Sequence, residues 1–218
     1  SGTTTVDIIK SCIPSIRNPW EIPMTDIYTI LAAIRMASYG SSINAKNTCT
    51  ECSEENNYDI DIQNMLAHFA KGNFEDSVVL DNMKFSLRPL TFKELNEINK
   101  QNFKLQRTLL QVVPSITDEN QRAEEQQKVY DALAVLRKNT VISSIAKIEV
   151  DNEEETDLNE IAKFIENADK DFFVKVEQAI MRNNEQFIVP DTDIECANCG
   201  HKSKLNIEMD YSNFFAQG

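Results

Sequence analysis

Four of the five cysteines stand in two CxxC pairs, Cys49-Thr50-Glu51-Cys52 and Cys196-Ala197-Asn198-Cys199. Two residues between thiolates let one tight turn aim both sulfurs, with some backbone N–H groups, at a single ion. Two such knuckles supply the tetrahedral thiolate set that structural zinc prefers. Pairs of this kind usually lie about 15 to 20 residues apart, whereas Cys52 and Cys196 are 144 positions apart. If Cys49, Cys52, Cys196 and Cys199 share one zinc ion, the chain between them is an insertion carried by a split ribbon. Three other readings of the thiols stay open at this point: free cysteines, two separate disulfides, and a redox CxxC. For an intracellular chain, metal binding is the stronger expectation than disulfides. His201 is expected to be a solvated neighbour of the second knuckle, with its substitution for a cysteine ligand left open, and His68 and Cys12 are expected to be packing residues.

The residues after each pair alternate polar and apolar and read as strands: Tyr58-Asp59-Ile60-Asp61-Ile62 after the first, and 203–209 after the second. Gly200 supplies the positive φ that a knuckle turn often requires, and Ser53 occupies the corresponding place in the first pair.

Composition narrows the function classes. The 41% hydrophobic content of 218 residues can bury a core without disulfides. No segment approaches the roughly 20 apolar residues of a membrane span, and Ser1-Gly2-Thr3-Thr4-Thr5 is not followed by a signal-like apolar block, so neither a membrane span nor secretion is expected. With 22 basic and 35 acidic residues the net charge is −13, a sign that repels phosphate. The knuckle strands carry Asp59, Asp61, Asp191, Asp193, Glu195, Glu208 and Asp210 against Lys202 and Lys204, so nucleic acid is a poor candidate partner. There are two histidines and five glycines, and no phosphate loop, GxSxG elbow or HExxH pair. No enzymatic activity is expected. The run Asp151-Asn152-Glu153-Glu154-Glu155 lacks the alternating ligands and turn glycine of an EF-hand and reads as a solvated loop.

The elements that must position the cysteines follow from periodicity and punctuation. A largely apolar helix spans about 26–39, closed by Gly40. Before it, 13–23 contains Pro14, Pro19, Pro23 and the only tryptophan, and reads as an extended arm whose apolar residues need a surface. A short helix is expected over 63–71, with strands over 76–80 and 84–87 extending the ribbon sheet. Thr91-Phe92-Lys93-Glu94 is a capping box, opening a helix to about Val112. Pro114 breaks it, and a second helix runs from near Thr117 toward Lys147 with Val129, Leu133, Leu136, Val141 and Ile145 as its stripe, the two pairing as an antiparallel hairpin. Helices at about 158–167 and 171–183 complete a packed helical bundle. The expected fold is α+β, a split four-cysteine zinc ribbon with a large α-helical insertion. Its segments are an N-terminal arm and helix (1–40), the first half of the ribbon and sheet (41–88), the helical insertion (89–185) and the second half of the ribbon (186–218).

Taken together, Pro23-Met24-Thr25-Asp26 leading into a helix that ends Ala37-Ser38-Tyr39-Gly40, the first knuckle, Leu87-Arg88-Pro89-Leu90-Thr91, and Cys196-Ala197-Asn198-Cys199-Gly200 followed by Phe214-Phe215 resemble the baseplate hub proteins of T-even-type contractile-tailed bacteriophages. The resemblance implies a hub subunit or hub assembly protein, with other tail and hub proteins as partners in an oligomeric assembly. It also implies assembly in the host cytoplasm and a place in the virion tail baseplate. The cysteine quartet carries over, and no catalytic residues do. Trp20, Ile22, Tyr211, Phe214 and Phe215 are the candidate partner-binding residues, because buried aromatic anchors carry much of an interface's energy. The alternatives are a zinc-ribbon regulator or adaptor that binds nucleic acid or the transcription machinery, and a thiol oxidoreductase.

Overall fold

Glycine, proline and the apolar spacing place most helices where expected in a computed structural model that describes residues 2–207. The fold mixes helices and antiparallel strands in an α+β arrangement. The chain forms two units, the first from its two ends, up to Phe74 and from Asn184, and the second from Glu75–Asn183.

The first unit opens with a helix absent from the sequence expectation, α1 (Gly2–Cys12), anchored by buried Val6 and Ile9. Three consecutive threonines at its start conceal it, since threonine lowers helix propensity without forbidding a helix held by tertiary packing. The proline-rich segment after it is not an extended arm. The Ile13 N–H bonds the Ile9 carbonyl and the Ile16 N–H that of Ile13, and a 3-10 turn forms at Pro19–Glu21. Three prolines fix φ without imposing extension, and they serve turns equally well. Helix α2 (Met24–Tyr39) follows, with Gly40 at φ 87° donating its N–H to the Met36 carbonyl. Ile27, Leu31, Ala32 and Ile34 are buried. Arg35 on α2 is only 3% exposed; it stacks on Tyr39 at 4.6 Å and donates to the Ser42 carbonyl. Strands β1 (Ser42–Thr48) and β2 (Glu55–Asp61) form an antiparallel hairpin, in register from Ser42↔Asp61 to Thr48↔Glu55. Asp61 then caps α3 (Ile62–Lys71) by accepting from the Gln63 N–H. At Gly72 an added Cβ would lie 2.7 Å from the Phe187 ring, so this glycine permits a close approach.

The second unit is built on a four-stranded antiparallel sheet in the order β3 (Ser77–Leu80), β4 (Met83–Leu87), β5 (Ile145–Val150), β6 (Glu153–Glu155). Between β4 and β5 run α4 (Phe92–Arg107), continued by a π-helical turn (Thr108–Val112), and α5 (Glu119–Ser143). The Thr91–Glu94 capping box is formed, Pro114 lies in the break, and the two helices pair as a hairpin. Helices α6 (Leu158–Asn167) and α7 (Lys170–Glu185) follow. Phe85 of β4 is fully buried, with Phe164 of α6 at 6.3 Å and Phe172 of α7 at 5.8 Å between ring centroids. Arg137 of α5 forms a bidentate ion pair with Glu177 of α7 and lies over the Phe173 ring.

Three expectations are corrected here. Strand β3 pairs with β4 and β4 with β5, not with the strands of the knuckles. The helix of α5 stops at Ser143, and Ile145, expected on its stripe, begins β5 fully buried. Val141 and Ile145 are four apart, a spacing that suits a helix until the β-branched Ile145 and Ile148 pair with Leu87 and Phe85 of β4. The acidic stretch is a hairpin, not a loop: Asp151 and Asn152, at φ 51° and 69°, turn the chain and Glu153–Glu155 pair with β5. Asp81-Asn82 makes the same turn between β3 and β4 at φ 47° and 68°. Left-handed values at both central residues match the right-handed twist of a hairpin, and Asp and Asn tolerate them.

Candidate metal centre

Both cysteine pairs lie in the first unit, each at the tip of a two-stranded hairpin. Cys49 and Cys52 follow β1 and precede β2; Cys196 and Cys199 join β7 (Thr192–Glu195) to β8 (Lys202–Leu205). Of the strands preceding the pairs, β1 was not part of the sequence expectation, and β7 entered it only through Asp191, Asp193 and Glu195, counted among the knuckle strands. Part of the expected strand 203–209 lies outside the described residues.

The two turns have the same backbone. The Cys49 N–H donates to the Glu54 carbonyl and the Ser53 N–H to the Cys49 carbonyl, both at 2.9 Å; the Cys196 N–H donates to the His201 carbonyl and the Gly200 N–H to the Cys196 carbonyl, again at 2.9 Å. Ser53 and Gly200, fourth after the first cysteine in each case, both adopt positive φ, 59° and 72°. The conformation is therefore required by the turn, and in the first knuckle it is imposed on a residue with a Cβ.

All four sulfurs lie within 4.8 Å of one another. Two approaches run across the hairpins: Cys49 Sγ to Cys199 Sγ and Cys52 Sγ to Cys196 Sγ, each 3.6 Å. A tetrahedral site with metal–sulfur bonds of about 2.3 Å has sulfur–sulfur edges of about 3.8 Å, so the donor set fits an ion of that class. All four are free cysteines. A redox CxxC needs only its own two thiols, whereas here each knuckle turns its sulfurs toward the other. Cys49 and Cys196 are buried and Cys199 is exposed. Cys12 lies on α1, exposed and outside the cluster, and His201 contributes its carbonyl to the knuckle rather than its ring to the group of candidate ligands.

The surroundings divide the thiols. Backbone hydrogen bonding from Cys199 and Asn198, with the Asn56 amide, lowers the Cys196 thiol to about 6 against the opposing effect of burial. The Asn198 side chain, then the Glu54 backbone, lowers Cys52. Cys199 receives a lowering hydrogen bond from the His201 backbone, yet its neighbours Cys52, Cys49 and Cys196, together with burial, push it up to about 12. Four sulfurs this close cannot all carry charge unaided, and a bound cation is what deprotonates such a set outright.

Two further residues complete the site and were not singled out from the sequence. Asn56 of β2 is buried; its Nδ2 donates to Cys196 Sγ at 3.3 Å and to the Glu54 carbonyl at 3.1 Å, and its Oδ1 accepts from the Ala197 N–H at 3.0 Å. Tyr58 donates its hydroxyl to the Glu195 carbonyl at 3.1 Å, and burial, then the charge of Cys196, Cys49 and Cys199, raises its pKa. The sequence signal for both was the strand alternation of β2, which places Asn56 and Tyr58 on one face with Ile60.

Of the candidate partner-binding residues, Ile22 is buried in the first unit and Trp20 is half-buried. Tyr211, Phe214 and Phe215 lie outside the described residues. Among the described residues no helix is long and apolar enough to cross a membrane. A family model described as T4 bacteriophage base plate protein matches residues 2–216. No curated protein and no solved structure matches the chain.

Proposed function

Because the chain belongs to the T4 bacteriophage base plate protein family, we propose that it is a non-enzymatic component of the tail baseplate hub, stabilised by one structural zinc ion and acting through contacts with other tail proteins. The family match over nearly the whole chain is the observation that carries this reading. In this reading Cys49, Cys52, Cys196 and Cys199 are the ligands, and the two hairpins are the halves of a split ribbon. The cross-hairpin sulfur distances of 3.6 Å support that assignment. Zinc bound there closes a loop of 144 positions, and by the relation used for disulfides such a closure is worth on the order of 5 kcal/mol to the folded state. Its role is to hold the first and last parts of the chain in one unit while the chain between them folds as another.

Protein contact is favoured by apolar side chains that the described fold leaves uncovered. Phe103 and Leu110, on α4 and its continuation, are 70% and 73% exposed, and Tyr130 and Val135 on α5 are also exposed. Trp20 and the aromatic residues Tyr211, Phe214 and Phe215 are further candidate anchors; Ile22 serves the core of its own unit. Assembly in the host cytoplasm and incorporation into the virion tail follow from the proposed role.

Two measurements test the proposal. Elemental analysis of the purified protein is expected to give one zinc per chain, and a folded metal-free protein would refute the structural role. Affinity isolation from phage-infected cells is expected to recover other baseplate proteins. Recovery of nucleic acid alone, with salt-dependent binding, would favour the regulator reading instead.

A further inference from the structure

The Asn56 side chain touches both knuckles. It lies on β2, just beyond the first pair, yet two of its three hydrogen bonds reach the second pair, 140 and 141 positions away. One goes to a sulfur of the candidate ligand set and the other to the backbone of the residue next to it. The third bond, to the Glu54 carbonyl, fixes the amide against its own turn. An amide is the group this position needs: the NH2 end faces a sulfur and a carbonyl, both acceptors, and the oxygen faces an N–H donor. At 7% exposure, no solvent stands in for any of these bonds.

Resting on the reading of the four cysteines as a metal site, we propose that Asn56 is a positioning residue for that site, aiming the Cys196 sulfur and locking the second knuckle to the first before the metal arrives. Partners in the outer shell of a metal site fix ligand orientation, and their loss typically costs 10- to 100-fold in affinity. The geometry gives this role a chemical sign as well as a size. Asn56→Asp keeps the shape and the acceptor toward the Ala197 N–H, but turns a carboxylate oxygen instead of an N–H toward the Cys196 sulfur. Asn56→Ala removes all three bonds without adding charge.

Cobalt(II), whose thiolate charge-transfer and ligand-field bands report sulfur coordination, is the probe. Titration of the full chain, with chelator competition by zinc, compares wild type, Asn56→Ala, Asn56→Asp and, as a control for charge alone, Asn57→Asp at an exposed neighbouring position. The expected result is a 10- to 100-fold affinity loss for Asn56→Ala, a larger one for Asn56→Asp, shifted charge-transfer bands in both, and wild-type behaviour for Asn57→Asp. A residue that merely supports folding would lower stability with unchanged bands and would not rank Asp below Ala, and that outcome overturns the proposal. Far-ultraviolet circular dichroism on each variant identifies any that fails to fold, and the isosteric Asp variant then carries the comparison against its control. If the Asn56 variants bind cobalt as wild type does, the positioning role falls and the metal site stands. If wild type itself shows no thiolate bands, both fall.

Discussion

At the scale of single residues, the centre depends on two backbone positions as much as on its sulfurs. Gly200 and Ser53 hold the same left-handed conformation, and a Cβ at Gly200 would meet only the Glu195 carboxylate at 3.8 Å, an ordinary contact. The cost of a side chain there is therefore conformational. Gly200→Ala is expected to destabilise the metal-loaded first unit by about 1 to 2 kcal/mol, whereas Ser53→Gly should be neutral or stabilising; denaturant titration of both variants measures the difference. An opposite ranking would mean that the two turns are not equivalent. Asn56 and Tyr58 act at the same scale: Asn56 donates to the Cys196 sulfur and Tyr58 to the Glu195 carbonyl beside it, contacts that the spacing of the cysteines alone does not reveal.

At the scale of elements, the α4–α5 hairpin is the most distinctive feature. No residue of α4 is fully buried, so its start relies on local chemistry. Thr91 accepts from the Glu94 N–H, the Glu94 carboxylate accepts from the Thr91 N–H at 2.8 Å, and Arg88 donates to the same carboxylate at 2.5 Å. Thr91→Ala is expected to cost about 1 kcal/mol in the second unit, read from thermal melts. The Arg88 hydrogen bonds, more than the opposing desolvation, hold Glu94 below the usual carboxylate range. Since its folded pKa is depressed, its stabilising contribution is present above the unfolded value of about 4.3 and is lost as pH falls through the folded value. The stability difference between wild type and Glu94→Gln should accordingly shrink between neutral pH and pH 3; a constant difference would show that the ion pair contributes nothing. Farther along the hairpin, Phe103 and Leu110 lie seven residues apart on one exposed face with Arg107. Phe103→Ser combined with Leu110→Ser should leave the melting temperature nearly unchanged and reduce recovery of tail proteins. A large loss of stability would instead place these side chains in the chain's own core.

At the scale of the whole molecule, the two units should respond differently to metal removal. With the proposed ion bound, chelation or Cys196→Ser is expected to release the closure of the first unit, while the second unit, whose core of Phe85, Ile145, Ile161, Ile165 and Val176 contains no cysteine, is expected to retain its packing. Circular dichroism should show partial loss of helical signal, with hydrogen exchange accelerating in α1, α2 and the knuckle hairpins and staying slow in β4, β5 and α7. Simultaneous unfolding of both units would show that they are not independent. The same release is expected on acidification if the proposed ion is bound, because protons compete with a metal for thiolates.

The cysteine pairs, the α4–α5 hairpin and the ends of α2 were legible in the amino-acid sequence because each rests on local chemistry: a two-residue gap between thiols, a Thr-x-x-Glu box before an apolar stripe, a proline break, a glycine where φ turns positive. Helix α1, β1 and the compact path through the prolines were not, since their conformation depends on the surface they pack against or the strand they pair with. Ile145 is the sharpest case: its place four residues after Val141 suits a helix, and pairing with β4 makes it a strand. The Asp81-Asn82 turn falls between the two strands expected over 76–80 and 84–87, whereas the acidic run after Asp151-Asn152 obscured the second turn. What only the tertiary structure decided is that two knuckles 144 positions apart meet at 3.6 Å between opposite sulfurs, and that Asn56 spans them. Spacing along a chain determines which donors a turn can aim, whereas bringing two distant turns together depends on the long-range packing that fills the core.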